Sequence, residues 1–234
     1  MKKILIAAVF ALGLAGSAPV FAQDFDGELS ALRGKIISMC AQLQAGKPNE
    51  SPEQLLGEID AIITAWNGMA EKYTKEIPEA YAKDPGWKNY FAEAADNFSI
   101  MRQKAAAGDY KRASQFCGMN CGLFVKIKQV NGRTGFSDKI FFVRQNAHLA
   151  MAMAKAENWE SAIATLGKSG KMLEEIKTPE GDSTEAAAYA GDLKTLKADF
   201  APLSAAFGGR DMKRLGPAFT DYLAKFGKIY AKRI

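Results

Sequence analysis

Three cysteines and one histidine are the rare reactive side chains of this 234-residue chain. Cys117 and Cys121 stand in the string Phe116-Cys117-Gly118-Met119-Asn120-Cys121-Gly122-Leu123-Phe124. If that string is helical, four residues turn the chain by about 40° past one full turn, so both thiols share one edge of an apolar face. Two thiols so placed could hold one planar cofactor by neighbouring bonds. They could equally serve a disulfide, with Cys40 as the third candidate. A bridge between Cys117 and Cys121 would sit awkwardly, because side chains four apart on a helix point along its axis. Cys40 could therefore pair with either, and the sequence leaves that choice open. His148 with Met151, three residues apart, offers soft ligands for copper or iron. A lone histidine with no second imidazole or suitably spaced cysteine pair fits better an amphipathic helix packed with methionine.

The elements that must position these residues all read as helices, and no stretch alternates as a strand. Leu29, Leu32, Ile36, Met39 and Leu43 form one stripe, which predicts a first helix over 28–45. Ser51-Pro52-Glu53 is a cap with proline at the first helical position, opening a second helix whose stripe runs from Leu55 to Tyr73. Pro78, Pro85 and Gly86 mark a loop. A third helix runs from Trp87 to Gly108, and Asp109 caps a fourth over 110–129. Asn131-Gly132 breaks the chain, and 131–136 is the expected linker. Helices follow over 137–156, 159–176 and 184–207, and a last one follows Asp211.

The second half repeats the first. At an offset of 102 residues, Asp109-Tyr110-Lys111-Arg112 meets Asp211-Met212-Lys213-Arg214, and Phe124-Val125-Lys126-Ile127 meets Phe226-Gly227-Lys228-Ile229. Short antiparallel helices repeated in this way predict an all-α protein of two tandem antiparallel four-helix bundles, 23–131 with Cys117 and Cys121 and 132–234 without cysteine.

Residues 1–22 read as a cleavable signal peptide: Lys2 and Lys3, an apolar run from Ile4 to Ala15, and Val20-Phe21-Ala22 before the cut. Without those lysines, 29 basic residues face 26 acidic ones over 212 residues, and the formal charge falls from +5 to +3. That is too mild for a phosphate-tracking surface, so nucleic acid is not an expected partner. No later apolar run reaches the length of a membrane span. The expected location is the periplasm, an oxidising compartment where cysteines are usually paired or bound.

These features together resemble the cytochrome c′ family, periplasmic four-helix bundles that carry covalent haem on the last helix. Ala105-Ala106-Ala107-Gly108-Asp109 is similar to that family's turn between its third and fourth helices. The cysteine pair and Lys126 follow at about the distances of its attachment motif and basic residue, and Val143-Arg144-Gln145 followed by Met151 is similar to its first helix. The resemblance implies haem c tethered through Cys117 and Cys121, electron transfer or binding of a small gas, and a homodimer or a periplasmic redox partner. The family's motif is Cys-x-x-Cys-His. Here three residues separate the cysteines, and Gly122 stands where the histidine would ligate iron. The expectation is therefore a family member without a normal c-type haem. The alternative is a haem-free bundle that binds a small molecule or a protein as a sensory or scaffold module.

Other patterns are structural. Trp66, Trp87, Tyr90, Phe91, Phe98, Phe116 and Phe124 recur at helical spacing and are expected core. Lys111-Arg112, Lys213-Arg214 and Glu174-Glu175 are expected on solvated faces. No phosphate-cradling loop, nucleophile elbow or carboxylate-histidine pair nominates an enzyme.

Overall fold

The computed structural model describes residues 25–46, 51–178, 181 and 183–233, and the expected signal peptide lies outside them. Eight α-helices make up most of the regular structure among the described residues: α1 Phe25–Ala45, α2 Pro52–Lys75, α3 Trp87–Ala106, α4 Tyr110–Val130, α5 Phe136–Lys155, α6 Trp159–Glu175, α7 Thr184–Gly208 and α8 Met212–Lys232. No strand occurs among the described residues, and a single 3-10 turn, Glu79–Tyr81, lies in the proline-marked loop before α3. The protein is all-α. None of the described helices is long and apolar enough to cross a membrane.

Local chemistry sets the helix ends. Ser51 accepts from the Gln54 backbone N–H, while the Gln54 side chain accepts from the Ser51 backbone N–H, so two otherwise unpaired donors are satisfied. Asp109, Asn158, Ser183 and Asp211 cap α4, α6, α7 and α8 with side-chain oxygens. The turns α3–α4, α5–α6 and α7–α8 share one form. Each passes through a left-handed residue, Gly108 (φ 72°), Glu157 (φ 60°) or Arg210 (φ 52°), immediately before the cap. Glycine adopts that conformation freely, and the other two carry a small strain.

Packing closes each half on itself. α1 lies against α2 and α4, and α3 against α2 and α4; in the second half α5 lies against α6 and α8, and α7 against α6 and α8. The heart of the first half is aromatic. Trp66 stacks on Phe91 at 5.0 Å and lies 5.2 Å from Phe124, while Phe25 meets Tyr73, Tyr81 and Trp87 edge-on at 4.7–5.1 Å. Phe25 extends α1 three residues upstream of the predicted start, because Gln23-Asp24 and Asp26-Gly27 hide its apolar role in the sequence. Of the aromatics expected in the core, all are buried except Phe116, which packs against the core while half-buried.

The candidate thiol site between the two halves

Cys40 is the partner of Cys117: the two form a disulfide with Cα atoms 5.8 Å apart, joining α1 to α4. The bond closes the alternative left open by the sequence. Asp26, at the start of α1, pairs with Arg133, just past the end of α4, so the two helices run antiparallel, with Cys40 opposite Cys117. The Cys117 sulfur also lies 3.6 Å from the Ile36 carbonyl oxygen, one turn back on α1.

Cys121 remains a free thiol, 4% exposed. Burial pushes its pKa up to about 11, against the opposing charges of Arg33 and Arg144. Those two arginines define the surroundings. Arg33 projects from α1 and is 3% exposed; one nitrogen donates to Asp138 of α5 and another to the Tyr230 hydroxyl of α8. Its guanidinium stands 5.6 Å from the Phe141 ring centroid and 5.4 Å from that of Tyr230. Asp138 is fully buried, accepts from the Gly135 backbone N–H and has Lys128 of α4 at 3.8 Å. Burial raises the pKa of Tyr230, so the phenol stays protonated. A sealed cluster of two cations, one carboxylate, a phenol and a thiol therefore ties α1 and α4 to α5 and α8.

None of this cluster except Cys121 was singled out from the sequence. A signal was present, since Arg33 lies between Leu32 and Ile36 on the apolar stripe of α1, where a solvated arginine has no place. Asp138 reads locally as a residue of the first turn of α5, and nothing in the sequence connects it to a residue 105 positions earlier.

The remaining candidates are dispersed. Met151 is buried in the second half, whereas His148 is exposed, its ring edge 5.2 Å from Phe219. Desolvation on that side and the Arg144 charge one turn back lower its pKa to about 4. Among the described residues no group of three His, Cys, Asp or Glu side chains could hold a metal ion. A solvent-facing cleft of about 370 Å³ lies on the other side of the first half, between α2 and α3, with Trp66 and Phe98 beneath and Asp60, Asn67, Ser99 and Arg102 around it.

The residues do not fit a haem held by thioethers at both Cys117 and Cys121. The Cys117 sulfur is already bonded to Cys40. A Cβ built on Gly122 would meet the Gln145 side chain of α5 at 3.3 Å, so the motif's ligand position faces the other half and not the aromatic interior. That interior is filled by Trp66, Phe91, Phe98 and Phe124, whose ring centroids stand 5.0–6.5 Å apart.

Comparison with protein-family models, curated proteins and solved structures returns no match for this chain.

Proposed function

We propose that this chain is a periplasmic binding module, exported by a cleavable signal peptide and built as two tandem antiparallel four-helix bundles, 23–131 and 132–234, of cytochrome c′-like ancestry. It works without haem and performs no catalysis. The observation that carries this reading is the Cys40–Cys117 disulfide, which takes up a sulfur that covalent haem would need. The closed ring of helix contacts within each half supports the two-bundle arrangement. So does the shared 102-residue offset, which places buried Phe98, Met101 and Phe124 opposite buried Phe200, Leu203 and Phe226.

The α2–α3 cleft is the face for a small ligand, with Ile63 and Ala95 as its accessible apolar lining and Asn67, Ser99 and the Asp60–Arg102 ion pair at its polar edge. A periplasmic protein partner, or a second copy of the chain, is the other occupant of an outer face.

Expression in a host equipped for c-type haem attachment, followed by a visible spectrum and intact mass, tests the reading. A colourless protein cut after Ala22 and two hydrogens lighter than the reduced chain is the expected result. A Soret band with the mass of one added haem would overturn it.

A further inference from the structure

Cys121 follows Cys117 by one helical turn, about 6 Å along α4. Because α1 runs antiparallel to α4, this places Cys121 on the stretch facing α1 between the level of Cys40 and that of Arg33. The electrostatics agree: Arg33 of α1 and Arg144 of α5 both act on the Cys121 thiol. Three sulfurs thus lie on two packed helices, two bonded and the third one turn away. The third is also covered, since Cys121 is buried at the contact between the halves that Arg33, Asp138 and Tyr230 seal.

We propose that Cys121 is a guarded exchange thiol, which attacks the Cys40–Cys117 disulfide when the contact between the halves opens. The Cys121 thiolate forms a bond to the Cys40 sulfur, the Cys40–Cys117 bond breaks with its electron pair passing to Cys117, and Cys117 takes up one proton for the one Cys121 lost. One disulfide is exchanged for another, with no net oxidation and no external redox partner. Attack occurs at Cys40 because a Cys117–Cys121 bond would join side chains stacked along one helix.

Once Cys40 is bonded to Cys121, α1 settles along α4 by one turn, about 5.4 Å toward its own N-terminus. That displacement carries Arg33 one turn away from Asp138 and Tyr230. The chain therefore has two covalent registers, and only the Cys40–Cys117 register lets Arg33 fasten the halves. Opening also leaves Cys121 in water with Arg33 of the neighbouring α1, a charge that favours the attacking thiolate.

The experiment uses the full mature chain, oxidised and haem-free by mass, incubated without added thiol at pH 8.5 and quenched with acid at intervals. The free cysteine is then alkylated under denaturing conditions and mapped by peptide mass. In the unsubstituted chain label stays mainly on Cys121. In Asp138→Asn, label moves to Cys117, and a Cys40–Cys121 peptide appears at a rate higher by on the order of a hundredfold. Cys117→Ser supplies the second arm: it forms a Cys40–Cys121 disulfide under air and loses the mass of two hydrogens. Circular dichroism confirms that each variant is helical. If Asp138→Asn keeps all label on Cys121, or if Cys117→Ser retains two free thiols, the proposal is overturned while the haem-free reading stands. A haem adduct on the starting protein would overturn both.

Discussion

The two halves share turns, caps and the spacing of buried positions, yet they are reinforced by different means. On α1, Leu29, Leu32, Ile36, Met39, Cys40 and Leu43 are buried; on α5 the corresponding positions carry Ile140, Val143, Ala147, Ala150, Met151 and Ala154. The first half fills its interior with bulky side chains and closes it with a disulfide. The second draws α5 and α6 together over alanine, and Met151 and Phe219 occupy the positions of the bridge. One helical plan thus tolerates covalent closure or close approach of small residues, and only the first route leaves sulfur chemistry behind.

The sharpest way to break this comparison is to remove the bridge. A disulfide spanning 77 residues restricts the unfolded chain by about 3–5 kcal/mol. Cys40→Ser combined with Cys117→Ser is expected to lower the first half's stability by that amount and leave the second nearly unchanged. Urea unfolding followed by hydrogen exchange across both halves checks it, and equal loss in both would show that they unfold as one unit.

Next comes the pair of equivalent arginines, Arg33 and its counterpart Arg144. Arg33→Ala strands the buried Asp138 carboxylate and should cost about 3 kcal/mol. Arg144→Ala, at a half-buried position, should change stability by about 0.5 kcal/mol or less. Chemical denaturation of the two variants side by side measures the ratio.

Asn120 and Tyr222, related by the same 102-residue offset, are both buried with amide or hydroxyl atoms that find no hydrogen-bond partner among the described residues. Asn120→Leu and Tyr222→Phe should each stabilise the fold by about 1–2 kcal/mol, read as a raised denaturation midpoint. A loss at either position would show that the polar group is satisfied in solution.

The halves also carry opposite pH signatures. Cys121 titrates near 11 when folded against an ordinary value of 9.0. The unfolded thiol loses its proton first, so this contribution to stability is intact below pH 9 and lost as pH rises toward 11. His148 titrates near 4 against 6.5, so the unfolded imidazole gains its proton first and stability declines as pH falls from 6.5 toward 4. The alkaline loss should vanish in Cys121→Ser and the acid loss in His148→Gln, the second being small because the ring is exposed. At the turns, Glu157→Gly and Arg210→Gly should each relieve about 1 kcal/mol of left-handed strain, while Gly108→Ala introduces a similar amount, all read from melting temperature.

Much of this architecture was legible because helices announce themselves locally. The stripe from Leu55 to Tyr73, the Ser51-Pro52 cap and the Asp109 and Asp211 caps set boundaries that the structure reproduces within a few residues. The cysteine pairing was not legible, since the antiparallel level of α1 against α4 is a property of the packed pair. Arg33 and Asp138 were missed for a related reason. Asp138 looks unremarkable within its own helix, Arg33 marks a buried position without naming its partner, and the pairing exists only where the halves meet. The 3-10 turn at Glu79–Tyr81 escaped because three residues among prolines carry no period.

The connection between α4 and α5 spans only 131–135. A tether that short keeps the surfaces it joins at a high effective concentration even when they separate. On the proposed exchange, openings around Cys121 are therefore brief, and the number of times the contact re-forms before a sulfur reacts is set by a turn that itself contains no reactive group.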